Sequence, residues 1–220
     1  MNISESSAER IVAGLAKLGL VLKSHAWRQA GGRGLTPTQA QALAALESLG
    51  KPSLRLQEVA EALAIREATA SEAVESLVSK GLVRKKRSGV DRRAVAISLT
   101  AKGKQEAVQV MEWPDYLLGA VGDLTQQEQE ALLWMLIKMV RSLQRQGKIS
   151  VARMCVNCRY FEPFRYADRA KPHHCGFVNA PLGVGDLRLD CRDFEAAEAS
   201  DREKIWSAME AKTQRGGTRE

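Results

Sequence analysis

Residues 81–103 read GLVRKKRSGVDRRAVAISLTAKG and predict two short strands, joined by a hairpin and followed directly by a helix. In the second strand, residues 94–99, Val95, Ile97 and Leu99 alternate with small residues, as expected when one face of a strand is buried. Ser88 and Gly89 supply residues typical of a turn between the strands. The stretch therefore predicts a small β-hairpin set between helices.

Positive charge is concentrated in this hairpin. Residues 80–93 hold seven basic side chains and one acidic one, a net charge of +6, whereas the whole chain carries +7. A run of cations is often only a solvated surface, but this concentration suits the phosphate backbone of double-stranded DNA. We therefore predict a DNA-binding wing, with contacts from Arg84, Lys86, Arg87, Arg92 and Arg93.

Four helices are predicted before the hairpin. Ser6 and Thr36 begin two of them as N-caps, a third lies near residues 59–65, and a fourth covers residues 68–80. Short helices followed by a basic hairpin are typical of a winged helix-turn-helix, in which the last helix before the hairpin lies in the major groove. The exposed candidates on that helix for contacts with bases are Thr69, Ser71 and Glu72.

Two further helices are predicted after the hairpin, over residues 100–112 and from Thr125 to Arg145. The last of these is apolar over most of its circumference, and the first helix of the chain is long and amphipathic. Both patterns favour a helical homodimer interface built from the two ends of this region. The alternative is that one chain buries both apolar faces by itself.

Four separated motifs together resemble the MarR family of dimeric transcriptional regulators: LTPTQ at 35–39, GLVR at 81–84, DRR at 91–93 and LTAKG at 99–103. The resemblance covers about residues 8–146. It implies a triangular dimer on a pseudo-palindromic operator, with Arg93 reaching into the minor groove and Asp91 orienting it. Glu72 and Ser76 stand where the family usually has basic residues, which leaves the details of base readout open. A small-molecule effector would be a further partner.

All four cysteines lie in the last third of the chain, with the spacing C-x2-C-x16-C-x15-C. Four thiolates from one C-x-x-C turn and two later loops suit a structural zinc ion or an iron-sulfur cluster. Two disulfides are the alternative, which a reducing compartment disfavours. The predicted metal ligands are Cys155, Cys158, Cys175 and Cys191.

The surroundings of these cysteines favour a [4Fe-4S] cluster, with zinc as the alternative. Cys175 and Cys191 are not part of a second C-x-x-C, and Tyr160, Phe161, Phe177 and Phe194 follow the cysteines closely, with Arg159 and Arg192 beside them to offset thiolate charge. The spacing also resembles the cluster loops of high-potential iron-sulfur proteins. His173 or His174 is an alternative ligand, although adjacent histidines in a basic loop are expected to be exposed to solvent.

The sequence as a whole predicts a mainly α fold with a small β-wing. We expect a winged helix-turn-helix dimer in residues 1–148, a small irregular metal-binding module in 149–196, and a C-terminal helix with a flexible tail in 197–220. No signal-peptide pattern or membrane-spanning apolar run is visible, so a cytoplasmic location is expected. No catalytic constellation is visible either, and an enzyme is not expected.

The function predicted from the sequence is a DNA-binding transcriptional regulator that senses redox or iron state through its cluster. One alternative is a DNA-binding regulator in which zinc has a purely structural role. A less favoured alternative is a cluster-bearing electron-transfer protein, whose basic hairpin docks an acidic partner.

Overall fold

The computed structural model describes residues 5–63, 65–87, 95–111, 115–149 and 152–216, with only the backbone of Arg87 and of residues 213–216. The chain divides into two compact units, Met1–Pro114 and Asp115–Glu220. The last long helix of the predicted dimer region is thus grouped with the cysteines. The boundary predicted at 148/149 lies inside the second unit.

The first two helices of the first unit begin at the predicted N-caps. The helices of this unit are α1 (Ser7–Gly31), α2 (Pro37–Ser48), α3 (Leu56–Leu63), α4 (Glu67–Ser79) and α5 (Ala101–Val110). The side chains of Ser6, Thr36 and Thr100 each accept a hydrogen bond from the backbone N–H three residues later. These bonds satisfy amide groups that a helix N-terminus leaves without a partner, which fixes where each helix starts.

The hairpin forms as an antiparallel pair, β1 (Val83–Arg87) and β2 (Val95–Leu99), with Val83 opposite Leu99. Leu54 forms an isolated antiparallel bridge to β2, in which its backbone exchanges two hydrogen bonds of 2.8 and 2.9 Å with Ile97. Ile97 and Leu99 are buried as predicted, whereas Val95 is exposed toward the hairpin tip. The tip itself, residues 88–94, lies outside the described residues, and so do the predicted contacts Asp91, Arg92 and Arg93.

One apolar core holds the first unit together. Side chains from α2, α3, α4 and β2 meet in it, and the fully buried ones include Leu43, Val59, Val74, Leu77 and Ile97. Each such side chain stabilises the fold by about 1.5–3 kcal/mol relative to an exposed position. Because α4 turns one face into this core, its opposite face is left toward solvent.

The second unit combines helices with a small three-stranded sheet. It contains α6 (Asp115–Gly122), α7 (Gln126–Arg145) and α8 (Ala199–Gly216), together with β3 (Phe161–Glu162), β4 (His173–Cys175) and β5 (Ala180–Leu182) in the antiparallel order β3-β4-β5. The mainly helical fold with small sheets that the sequence predicts is therefore confirmed. None of the helices in the described part of the chain is long and apolar enough to cross a membrane.

The inner face of α7 is covered by the cysteine segment and by α8. Trp134 of α7 stacks on Trp206 of α8 with 5.4 Å between the ring centroids. The buried Arg141 lies over the same Trp206 ring at 4.4 Å and donates to the Glu203 carboxylate at 2.8 Å. Met154 and Val156, just before and within the C-x-x-C turn, are fully buried in this second core. The cysteine segment is therefore packed directly onto α7.

The sequence analysis missed α6. This helix reads DYLLGAVG and follows Trp113-Pro114, with two glycines in eight residues and no buried side chain. Glycine disfavours a helix interior, and proline ends a preceding helix more clearly than it predicts a new one. The local signals for α6 are therefore weak.

A close backbone contact at the start of α5 leads to a stability prediction. A Cβ atom at Gly103 would lie only 1.8 Å from the carbonyl oxygen of Leu82, so Gly103→Ala forces the hairpin and α5 apart. We expect the free energy of unfolding to fall by about 2–4 kcal/mol. Lys102→Ala, at the exposed neighbouring position, is the matched control and should change it by less than about 0.5 kcal/mol. Urea unfolding measures both, and equal midpoints would contradict the contact.

Candidate functional sites: a basic strand pair and a four-cysteine cavity

The solvent-facing side of α4 is acidic, because both Glu67 and Glu72 are exposed. Thr69 is exposed as predicted, as is Glu72, but Ser71 is half-buried, so only its outer part can take part in a contact. Arg66, an exposed cation at the N-cap position, was not predicted, because arginine is not a residue type that marks a helix start. The N-terminal end of α4 therefore offers a cation, a hydroxyl group and two carboxylates.

A polar linkage holds α4 against the start of α2. Gln39 is 7% exposed and donates from Nε2 to the Ser76 hydroxyl at 2.9 Å. Lys80 donates to Gln39 Oε1 at 2.8 Å and also to the carbonyl oxygen of Gly34. Ser76 thus fixes the orientation of α4 and is not an outward contact.

The basic residues of β1 divide between two faces of the strand. Lys85 forms an ion pair with Glu75 of α4, on the side that faces the core helices. Arg84 and Lys86 point to the other side and are exposed, and Arg84 donates to the Ser98 hydroxyl at 3.3 Å. Two strand cations are therefore available to an external anion, and they are two of the predicted contacts. The side chain of Arg87, a third, is outside the described residues.

The four cysteines line one cavity in the second unit. This cavity has a volume of about 170 Å³, and its lining includes Cys155, Cys158, Cys175 and Cys191. Cys158 is buried and the other three are half-buried. Its exposed rim consists of Phe177, Val178, Asp186 and Arg188. Residues separated by 36 positions in the chain are thus brought around a single space.

Short pieces of regular backbone position each thiol. Cys155 begins a 3-10 turn, Cys155–Asn157, in which the Cys158 N–H donates to the Cys155 carbonyl at 2.9 Å. Cys175 ends β4 opposite Phe161 of β3. The backbone of Cys191 is held by Arg153, whose carbonyl accepts from Cys191 N–H at 2.9 Å and whose Nε donates to the Cys191 carbonyl at 3.0 Å.

Arg188 is a cavity residue that the sequence analysis missed. Its backbone N–H donates to the Cys155 Sγ at 3.2 Å, and its guanidinium lies 3.9 Å from the Cys191 Sγ. Burial raises the pKa of the Cys155 thiol to about 11. The hydrogen bond from the Arg188 backbone acts in the opposite direction and lowers this pKa, but its effect is smaller than that of burial. A backbone N–H that donates to sulfur cannot be predicted from a sequence pattern, because almost any residue can supply one.

Only some of the predicted neighbours of the cysteines line the cavity. Tyr160, Phe161 and Phe177 line the cavity as expected, but Phe194, Arg159 and Arg192 do not. Arg159 instead forms an ion pair with Glu195 at 3.2 Å. Neither Arg159 nor Arg192, which were expected to offset thiolate charge, lines the cavity. The cation that lines it is Arg188.

The two adjacent histidines are buried, so the expectation that they are exposed is wrong. His173 packs between Phe161 and Phe164, and its Nδ1 accepts from the Phe164 N–H at 3.3 Å. Burial lowers the pKa of His173 to about 4, which keeps the imidazole neutral and able to accept. His174 Nδ1 lies 2.9 Å from the Tyr166 hydroxyl. Neither histidine lines the cavity, which argues against both as ligands.

The arrangement of the thiols bears on which metal suits them. Among the described residues, no three His, Cys, Asp or Glu side chains are grouped closely enough to hold one metal ion. A zinc ion keeps its sulfur ligands about 2.3 Å from one centre. A cavity of about 170 Å³ has room for about eleven water-sized spheres, taking about 15 Å³ for each. The four thiols therefore share one space without forming a close group of three.

Comparison with known proteins finds a similarity in the first part of the chain. Residues 33–94 match the sequence model of the MarR family. None of the curated proteins is significantly similar to the chain. The matched residues include α2, α3, α4 and β1, which are the elements around the basic strand pair.

The following solved structures have a similar fold and are distant in sequence. A MepR–DNA complex from S. aureus is 23% identical, with a TM-score of 0.54, over 64% of this chain and 100% of its own. A MarR protein from Peptoclostridium difficile is 21% identical, with a TM-score of 0.57, over 66% and 94%. The transcriptional regulator SlyA is 20% identical, with a TM-score of 0.54, over 62% and 95%. These likenesses confirm a MarR-type winged-helix fold, and about a third of this chain lies outside each.

The raised pKa of Cys155 predicts how the metal-free protein reacts with alkylating reagents. Only a thiolate reacts, so alkylation of Cys155 by iodoacetamide should be slow at neutral pH and should accelerate until about pH 11. Peptide mapping by mass spectrometry follows the rate at this residue. The same protein unfolded in urea is the control, where the rate should level off near the ordinary thiol pKa of about 8.5. Identical profiles for folded and unfolded protein would contradict the burial of this thiol.

Proposed function

We propose that the protein is a MarR-type transcriptional regulator that binds a pseudo-palindromic DNA operator as a homodimer and carries a [4Fe-4S] cluster on Cys155, Cys158, Cys175 and Cys191. The observation that carries the DNA-binding part is the winged helix itself, with Arg84 and Lys86 exposed on the strand that follows α4. A helix in the major groove with a basic wing beside it is an established way of reading DNA.

The charges on α4 and on the wing indicate how much each element contributes to the affinity for DNA. The exposed face of α4 carries Glu67, Glu72 and Thr69, and a carboxylate is repelled by phosphate even where it can accept from cytosine. The wing carries the net positive charge of the chain. We therefore assign most of the salt-dependent affinity to the wing, with Arg84, Lys86, Arg87, Arg92 and Arg93, and the selection of bases to Thr69, Ser71 and Glu72 with Asp91 positioning Arg93.

Exposed apolar side chains support a homodimer. On α1, Ile11, Val12, Leu18 and Trp27 are each at least half exposed. On α7, Met135, Met139 and Leu143 are exposed on the side opposite the buried Trp134, Ile137 and Arg141. Apolar surfaces of this extent are typical of interaction sites, and a second copy of the chain provides the same two helices to cover them.

The cavity supports a cluster more than a zinc ion. Four half-buried or buried thiols line a cavity of about 170 Å³, and no three of them are grouped for one ion among the described residues, which favours a four-iron group over a single ion. Tyr160 and Phe161 exclude water from part of the lining, and the Arg188 N–H stabilises negative charge on the Cys155 sulfur.

Helix α7 connects the cluster to DNA binding in this proposal. Its inner face, with Trp134, Ile137 and Arg141, is buried against the cysteine segment and α8, and its outer face belongs to the proposed dimer interface. Gain or loss of the cluster then displaces α7 and changes the separation of the two α4 helices. That separation has to match half-sites about one helical turn apart, so a small displacement changes affinity.

Charge variants test the DNA interface. We expect Arg84→Ala and Lys86→Ala each to reduce the slope of log affinity against log salt by about 0.9, because each removes one phosphate contact. Titration of DNA from the protein's own promoter region at several salt concentrations measures the slope. Lys204→Ala removes the same charge from an exposed position of the second unit and should leave the slope unchanged. Binding that does not depend on salt would overturn the proposal.

Metal analysis tests the cofactor. Protein purified without oxygen should contain about four iron and four sulfide per chain and absorb visible light, whereas about one zinc per chain would support the structural-zinc alternative. Cys158→Ser, at the buried ligand, should abolish the cluster. Holo and apo protein are then compared on the same DNA, and equal affinities would exclude sensing while leaving DNA binding intact.

A further inference from the structure

We infer that Glu72 selects a cytosine in each half-site of the operator, where its carboxylate accepts a hydrogen bond from the amino group of that base in the major groove. The inference rests on the proposed DNA binding and names a base that the operator contains. Three features support it: the position of Glu72 on α4, the contacts made by its neighbours on the helix surface, and the hydrogen-bonding chemistry of a carboxylate.

Glu72 lies on the side of α4 that faces away from the core. The side chain of Ala70 is fully buried, and a residue two positions later on a helix is about 200° further around the axis. Glu72 is accordingly exposed, and it lies in the first half of α4, which runs from Glu67 to Ser79. The N-terminal residues of a recognition helix are those that contact base edges in the major groove. Glu72 is therefore placed where a base contact is made.

The neighbours of Glu72 on the helix surface are held by other elements. Residues three and four positions apart are adjacent on a helix, so Glu72 lies beside Glu75 and Ser76. Glu75 forms an ion pair with Lys85 of β1. Ser76 accepts from the Gln39 amide of α2 at 2.9 Å. In the part of the chain that the structure describes, no ion pair or side-chain hydrogen bond engages Glu72 itself, so a fixed helix presents a carboxylate that can accept from an external donor.

The other two predicted base contacts on α4 discriminate less between bases. Thr69 is exposed, but a hydroxyl group both donates and accepts and so can pair with donors or acceptors of the bases. Ser71 has the same chemistry and is half-buried. Of the three, Glu72 alone carries a group that only accepts, and the strongest base preference is expected from it.

A carboxylate matches one base in the major groove. Guanine presents two acceptors there, thymine an acceptor and a methyl group, and adenine a donor beside an acceptor, whereas cytosine presents a donor alone. A carboxylate that enters the groove loses water, and this costs binding free energy unless a donor replaces the water. An acceptor on the base also repels it. Cytosine is therefore the base that favours Glu72.

Selection of binding sites from a randomised DNA library tests this assignment. Wild-type protein, purified without oxygen, should enrich a cytosine at one position of each half-site. Glu72→Gln should replace this cytosine by adenine, because an amide both donates and accepts and matches the adenine edge. Glu72→Ala should leave the same position without a preference. Both substitutions lie at an exposed helix position and should leave the fold intact.

Titration of the selected site measures the size of the effect. Exchange of the cytosine–guanine pair for another pair should weaken binding of the wild-type protein about 5- to 150-fold and should not change binding of Glu72→Ala. Glu67→Gln is the matched control. It removes the same charge from an exposed position about 140° away around α4 and should keep the cytosine preference.

The outcomes separate this inference from the proposed function. A cytosine that is still selected by both Glu72→Gln and Glu72→Ala would overturn the inference and leave DNA binding in place. A different base at the position that depends on Glu72 would overturn it as well. If the wild-type protein enriches no sequence, the proposed operator binding fails and the inference fails with it.

Discussion

The second unit is built around helix α7, which has one buried face and one exposed apolar face. Its inner face is completed by Trp206 of α8 and by Met154 and Val156 of the cysteine segment, and its outer face remains apolar and exposed. The stack of Trp134 on Trp206, with Arg141 above the same ring, fixes α8 in place. In the proposed dimer, α7 has the cysteine segment on one side and a second chain on the other, so it cannot move toward one of them without affecting the other.

The helices and strands of the first unit could be predicted because their signals are local. N-caps at Ser6, Thr36 and Thr100 fix where helices begin, and the alternation of Ile97 and Leu99 fixes which face of β2 is buried. These features depend on neighbours within a few residues, which the sequence displays directly. The MarR resemblance, confirmed at the level of fold, rests on the same local motifs.

Features that depend on distant residues could not be predicted in this way. The pairing of Lys85 with Glu75 and the donation from Arg188 to Cys155 join positions that only the folded chain brings together. The burial of His173 depends on two phenylalanine rings from another part of the segment. The cysteine spacing predicts a common site, but the size of the cavity, which bears on the kind of metal, is a property of the tertiary structure.

The division of the chain at residue 114 has a consequence for its synthesis. Every element of the winged helix, from α1 to α5, lies in the first unit, and all four cysteines lie in the second. Domains generally fold as units, and the N-terminal one folds first as the chain leaves the ribosome. The winged-helix unit can therefore be complete before the first thiol emerges. Insertion of the proposed cofactor is then a late event in the life of the chain, which acts on a winged helix that has already folded.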